Sequence, residues 1–207
     1  MNWFSLLLVG GALLLPVAAG AQVQSAPDVL IKSVTNDVLD VVRKDKDIQA
    51  GNYKKASELF EVKVLPHFNF THMTQLALAK DWRTATPAQQ KSLTDEFRTL
   101  LVRTYSKALT EYKDEAVEYK PFKMAATETD VKVRTQIKQP GGKPIPLDYY
   151  LEKLPQGWKV YDIEVDGISL VINYRDDFAA QVRNGGIEGL VKYLQAKNRT
   201  DATAVKK

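Results

Sequence analysis

The stretch WKVYDIEVDGISLVINYRDDFAAQVRNGGIEGL, residues 158–190, decides the fold. Trp158 to Val165 is a dense run of apolar, aromatic and β-branched residues and reads as a strand. Asp166-Gly167 breaks it, and Ser169 is placed to cap a helix in which Val171, Tyr174, Phe178 and Val182 recur every three or four residues. Gly185-Gly186 ends that helix in the manner of a left-handed cap, and Ile187 to Ala196 makes a further amphipathic helix. The Val171 to Val182 stripe is expected to lie over a sheet face that the strands leave bare.

Upstream, Val131, Val133, Thr135 and Ile137 alternate with Lys132, Arg134, Gln136 and Lys138, the pattern of a strand with one wet face. Pro140-Gly141-Gly142 turns the chain, and Ile145 to Leu154 returns with Leu147, Tyr149 and Leu151 in phase. Gln156-Gly157 then turns into Trp158, and an earlier strand at Val117 to Met124 completes an antiparallel meander of about four strands. Such a sheet has one face to cover, and the first half of the chain supplies helices to cover it. The fold class is α+β.

Those helices are legible from their ends. From Asp28 to Arg43, residues Val29, Leu30, Val34, Val38, Leu39 and Val42 lie on one predicted helix face, followed by the polar connection KDKDIQAGN, residues 44–52. A second helix runs from about Tyr53 to Pro66, and a short one from Asn69 to Lys80 ends near Trp82. Thr86-Pro87-Ala88-Gln89 opens a long helix with a Thr cap, Pro in the first turn and Gln closing a capping box. Its stripe is Leu93, Phe97, Leu100, Leu101, Tyr105, Ala108, Leu109 and Tyr112.

Residues 3–18 hold an almost unbroken apolar run followed by Ala19-Gly20-Ala21, so residues 1–21 read as a cleaved secretory signal cut between Ala21 and Gln22. The run is too short for a comfortable membrane span. Residues 22–197 then form a single domain, and residues 198–207 a polar, frayed tail. The chain has no Cys, which excludes disulfides, thiolate nucleophiles and thiolate zinc sites. Its net charge of +4 is mild and scattered, which suits anionic membranes or acidic partner proteins better than nucleic acid. Arg98, Arg103, Lys107, Arg175 and Arg183 are the basic candidates for such contacts, although most such residues simply keep a face solvated.

Catalytic signatures are scarce. His67 and His72 are five apart with no acidic neighbour in sequence, and no G-x-S-x-G, phosphate-binding glycine loop or H-E-x-x-H is present. Asp162, Glu164 and Asp166 could offer a general base in a half-open cone, but no partner for them is visible in the sequence. Apolar residues at helical or strand spacing ordinarily make plain core.

The segments ATPAQQKSLTDEFRTLLVRTYSKAL (85–109), VRTQIKQPGGKPIPLDYYL (133–151) and the opening stretch resemble, in this order, the MlaC family, also called toluene-tolerance auxiliary proteins. The likeness extends over nearly all of the chain after residue 21, including LPHFNFTHM and Trp82-Arg83-Thr84-Ala85. One departure is visible: the family commonly has Gly a few residues before the Trp, where this chain has Ala79. The resemblance implies a mixed α+β cone with an internal apolar pocket for acyl chains, no catalysed reaction, and no cofactor beyond bound phospholipid as cargo. It implies a soluble, monomeric carrier in the periplasm of a Gram-negative cell, moving phospholipid between outer and inner membranes and so maintaining outer-membrane lipid asymmetry. Implied partners are an outer-membrane MlaA–porin assembly and an inner-membrane ABC complex containing MlaD, with no nucleic acid.

At roughly 0.8 kcal/mol per buried methylene, two long acyl chains cost more than about 20 kcal/mol to leave in water, so a carrier must enclose most of their length. A pocket near or above roughly 1,000 Å³ and free of charge is therefore expected. Its expected lining is Val133, Tyr149, Leu151 and Ile163 from the sheet, opposed by Leu39, Phe97, Leu101, Tyr105, Val171, Tyr174 and Phe178. Trp158 and Val160 compete with Tyr161 and Ile163 for the same strand face. The alternatives are a cone-shaped enzyme using an Asp base, or a periplasmic adaptor or chaperone without a ligand.

Overall fold

The computed structural model describes residues 25–113 and 115–204. The expected signal and its cleavage point at Ala21 and Gln22 lie outside the described residues. Helix α1, Pro27–Lys44, buries Ile31, Val38 and Val42. Val29, expected on that face, is 52% exposed. It stands two residues from Ile31, roughly 200° around the helix, so the two cannot share a face. The polar connection holds a single helical turn, α2 (Lys46–Gln49), capped by the Asp45 carboxylate. Helix α3, Tyr53–Lys63, is capped by Asn52 and gives way before Pro66 to a 3-10 turn, Leu65–His67.

Helix α4, Phe70–Leu78, is capped by Asn69 and stops at Ala79. Ala79 carries φ 50° and ψ −119°, a conformation that a Cβ disfavours and that glycine adopts freely. The departure noted in the sequence therefore falls on a strained backbone position. A 3-10 segment, Ala79–Thr84, leads to α5, Pro87–Thr110, whose expected capping box is present: the Gln89 amide donates to Thr86 Oγ1, and the Thr86 amide to Gln89 Oε1. Leu93, Phe97, Leu100 and Leu101 are buried along α5, whereas Ala108 is exposed and Tyr112 lies past the helix end. There the Tyr112 hydroxyl donates to the Glu115 carbonyl and accepts from Arg43 Nε.

Five strands rather than about four follow in an antiparallel meander: β1 (Ala116–Tyr119), β2 (Asp130–Lys138), β3 (Ile145–Leu154), β4 (Gly157–Val165) and the two-residue β5 (Ile168–Ser169). β1 ends well short of Met124 because Pro121 has no N–H for the ladder. Asp166 and Gly167, both with positive φ (50° and 81°), form a tight hairpin turn into β5, so the break seen in the sequence is a return of the chain. The β3–β4 register shifts between Tyr150, which pairs with Asp162, and Leu151, which pairs with Val160, leaving Tyr161 as an extra residue.

The helices do not all cover the sheet. α6, Arg175–Ala204, packs on α4 and α5. Phe97, Val171, Phe178, Leu190 and Leu194 share one buried helical cluster. The Val171 to Val182 stripe thus faces other helices, contrary to the expected position over the sheet. The route out of the sheet accounts for this: the Asp162 carboxylate ties down Ser169 and the Val171 amide, and a 3-10 turn, Ile172–Tyr174, launches α6 from the β4–β5 edge. Ser169 caps that turn through the Ile172 amide. Gly186 has φ 64° and ψ −169°, a non-helical backbone at which two helical segments of α6 meet across a kink, so the break expected at Gly185-Gly186 is present although its ψ is not that of a left-handed cap. The helix runs through residues 198–204. Asn198 is buried against α5, its side-chain amide donating to the Glu96 carbonyl and carboxylate.

Two further clusters hold the sheet side together. Ile31 of α1 packs on Val131, Val133, Leu151, Trp158 and Val160, and Val38, Val42, Ile48 and Ala56 join α1, α2 and α3. α1 thus covers the sheet beside α4, which packs on β4.

Candidate functional site

Between α1 and the sheet, closed off by α3 and α5, lies a cavity of about 350 Å³. α1 contributes Leu30, Ile31, Val34, Thr35, Val38 and Leu39. Phe60 and Val64 close one side, and His67, Phe68, Phe70 and Met73 another. α5 adds Leu101, Tyr105 and Leu109; the sheet supplies Val117, Ile137, Leu147, Tyr149, Val160, Ile163 and Val165, with Leu170 just beyond β5. No Asp, Glu, Lys or Arg is in the lining, and the polar groups that are present stay neutral. Burial pushes the His67 imidazole below its ordinary value of 6.5, with Lys159 adding to the effect, so it is uncharged at neutral pH. Burial likewise pushes the Tyr149 hydroxyl up to about 12 and the Tyr105 hydroxyl higher still, the latter aided by Tyr174.

The bulge at Tyr161 shapes this wall. Without it, Val160 and Ile163 would point to opposite faces, being three residues apart on a strand of period two. The extra residue resets the alternation, and both side chains line the cavity. The competition between Trp158–Val160 and Tyr161–Ile163 for one face is thereby resolved: Trp158, Val160 and Ile163 all belong to the sheet-side cluster.

Of the residues expected to line a pocket, Leu39, Leu101, Tyr105, Tyr149 and Ile163 meet around this cavity. The other six lie elsewhere. Val133 and Leu151 are buried beneath α1 in the sheet-side cluster. Phe97, Val171, Tyr174 and Phe178 fill the helical core, where Phe97 meets Tyr174 and Phe178 edge to face with ring centroids 5.1 Å from each. Because that aromatic stripe fills its own core, the cavity is well below the expected size of roughly 1,000 Å³ and stands near the lower end of ordinary ligand pockets. α1 supplies six lining residues, of which only Leu39 is in the expected lining, although Leu30, Val34 and Val38 share its apolar stripe in the sequence.

The buried polar groups are structural. Asp162 is 5% exposed and accepts from the Ser169 hydroxyl at 2.5 Å, the Ile163 amide at 2.8 Å and the Val171 amide at 3.3 Å. A carboxylate held this way fastens the turn that leads from β4 through β5 toward α6. Nor do the expected basic contacts all stay free: Arg175 donates twice to the Leu76 carbonyl, and Arg103 to the Asn198 carbonyl. His72 Nδ1 lies 2.9 Å from Glu152 Oε1, which also accepts from Asn69 Nδ2 at 2.7 Å. Among the described residues no group of three or more His, Cys, Asp or Glu could hold a metal ion, and no helix is long and apolar enough to cross a membrane.

Comparison with known proteins agrees with this architecture. The chain is 27% identical over 182 residues to the toluene tolerance protein ttg2D of Pseudomonas putida, covering 87% of this chain and 82% of that protein. It is 23% identical over 199 residues to the intermembrane phospholipid transport system binding protein MlaC of Haemophilus influenzae, covering 94% and 92%. A phospholipid-binding protein from Ralstonia solanacearum, solved in complex with a phospholipid, superposes with a TM-score of 0.79 at 40% identity, covering 86% of this chain and 99% of that one. The sequence profile described as MlaC protein matches residues 32–196, and the chain belongs to the MlaC family.

Proposed function

We propose that this protein is a soluble periplasmic carrier that holds a phospholipid by its acyl chains and shuttles it between the outer and inner membranes, maintaining the lipid asymmetry of the outer membrane. The observation that carries the reading is the uncharged, apolar cavity between α1 and the sheet, in a chain 40% identical to a structure that holds a phospholipid. Chain burial supplies the affinity, since each enclosed methylene contributes roughly 0.8 kcal/mol. A cavity of about 350 Å³ takes two long chains only if α1 and the sheet move apart, so loading and release are coupled to separation of these layers.

The carrier performs no chemistry on its cargo and needs no cofactor. It is exported by the signal at residues 1–21, works as a monomer, receives lipid from an outer-membrane MlaA–porin assembly and exchanges it with an inner-membrane complex containing MlaD. Extraction of the mature protein with organic solvent, followed by mass spectrometry, should return phospholipid. Protein that yields none, and whose native mass spectrum shows no adduct near phospholipid mass, would overturn the proposal.

A further inference from the structure

Among the residues that line the apolar cavity, His67 alone has a side chain that can gain a positive charge between about pH 5 and 8. The backbone around it is pinned to β4 on both sides. Lys159 reaches the Pro66 carbonyl, Phe68 bridges Val160, and the Asn69 amide donates to the Val160 carbonyl at 2.8 Å. The imidazole is therefore held at the cavity wall. It is half-buried, so protons reach it from solvent, and among the described residues it makes no hydrogen bond or ion pair that would offset a charge.

The neighbouring elements all oppose that charge. β4 presents the Lys159 ammonium, a like charge, and α3 turns Phe60 and Val64 to the cavity while its Glu61 and Lys63 are exposed. The other ionisable groups of the lining, Tyr105 and Tyr149, carry hydroxyls that burial keeps protonated, so they supply no counter-charge. Enclosed hydrocarbon would add to this opposition, because a chain against the wall displaces the water that would solvate an imidazolium. Linkage makes the effect reciprocal: if cargo makes the ring harder to protonate, protonation weakens the hold on cargo by the same factor.

We infer that His67 is a proton-operated release switch: protonation places a cation on the wall of the apolar cavity, beside Lys159, and lowers the affinity for the lipid held there. This rests on the carrier reading and adds a regulation to it. Cargo is retained at neutral pH and given up more readily where protons accumulate, as they do against an anionic bilayer. His72, the second histidine of the chain, works in the opposite direction. Its Nδ1 lies 2.9 Å from Glu152 Oε1, so a charge on His72 would tighten the tie between α4 and β3. The sign of the pH response tells the two histidines apart.

The full chain would be equilibrated with vesicles of isotopically labelled phosphatidylcholine, a lipid that stays zwitterionic across this range, and the protein-bound share quantified by mass spectrometry. Between about pH 7.5 and about pH 5 the bound share of wild type should fall about tenfold, the factor for a one-unit lowering of the imidazole value on loading. The His67 imidazole, followed by NMR, should correspondingly titrate about one unit lower in loaded than in lipid-stripped protein. His67→Phe and His67→Gln should both abolish the fall, and His72→Gln should keep it. A fall that persists in both His67 variants, or a His67 titration that loading does not move, overturns the switch and leaves the carrier reading intact. Lipid loss that tracks loss of the far-ultraviolet signal overturns it as well, since release would then be unfolding. Protein that binds no phosphatidylcholine at the higher pH overturns both.

Discussion

The Ser169 hydroxyl donates to Asp162 Oδ2 at 2.5 Å, and through this contact β4 holds the chain that leaves β5 for α6. The other carboxylate oxygen accepts the amides of Ile163 and Val171. Burial raises the Asp162 pKa, outweighing the hydrogen bonds that pull it down. A folded-state value above the unfolded one means that the native state holds its proton longer. The stability this carboxyl contributes is therefore full below about 3.8 and is lost as pH rises through the folded value. Asp162→Asn keeps the acceptor for both amides and removes the titration. Its melting temperature should gain on wild type as pH rises from about 3 to about 7. A gap that stays constant with pH would contradict the assignment. Asp162→Ala leaves two amides and a hydroxyl unpaired and should cost about 2–3 kcal/mol in urea unfolding.

Ala79 occupies φ 50°, ψ −119° at an exposed helix end. A residue with a Cβ in such a region stores roughly 1–3 kcal/mol, and glycine gives part of this back through its larger unfolded-state entropy. Ala79→Gly should therefore stabilise the protein by about 1 kcal/mol, seen as a higher urea midpoint at unchanged slope. Ala79→Val, with a branched Cβ, should do the opposite. If the glycine variant is less stable than wild type, the backbone at this position is not strained.

Legibility in the sequence followed the range of the interaction involved. The Thr86–Gln89 capping box and the alternation of Val131 to Lys138 depend on neighbours three and two residues away, and both are present as expected. The bulge at Tyr161 depends on how β3 pairs with β4, which no local pattern carries, so Ile163 could not be phased against Val160. The destination of the Val171, Tyr174 and Phe178 stripe was hidden for the same reason. An apolar stripe shows that a helix has a buried face, and the tie between Asp162 and Ser169 determines which neighbour buries it. Ala79 lies between these cases: its oddity was visible only against a family habit, and its positive φ gives that habit a physical cause.

Ile163 and Val171 separate cavity from core. Ile163 lines the cavity and is half-buried, so Ile163→Trp can extend into open space and should cut co-purified lipid at least severalfold with the far-ultraviolet spectrum and melting temperature nearly unchanged. Val171 is fully buried within the helical cluster and touches no cavity wall. Val171→Trp should instead overpack that core and destabilise it by about 1–3 kcal/mol or more. Lipid loss in the Val171 variant without loss of stability, or none in the Ile163 variant, would move the cargo site to the helical core.

Glu152 joins the helical layer to the sheet at one edge. From β3 its Oε1 accepts from Asn69 Nδ2 and lies 2.9 Å from His72 Nδ1, while His72 stacks on Tyr161 at 4.4 Å. Beside it the Asn69 amide donates to the Val160 carbonyl at 2.8 Å, and Lys159 reaches the Pro66 carbonyl, so this edge carries polar ties between the layers. Glu152→Ala leaves the Asn69 side-chain amide and His72 without their acceptor and should cost about 1–2 kcal/mol. The loss should be local: the Asn69 backbone amide, bonded to the Val160 carbonyl beside the lost contact, should exchange faster with solvent, while the β2–β3 ladder amides keep their protection. If lipid release requires the layers to part, the same variant should release lipid to vesicles faster than wild type, and Glu152→Gln, which retains an acceptor oxygen, should fall between. Equal acceleration of exchange at Asn69 and in the ladder would mean that the whole fold had loosened, and would contradict a local role for this edge in lipid release.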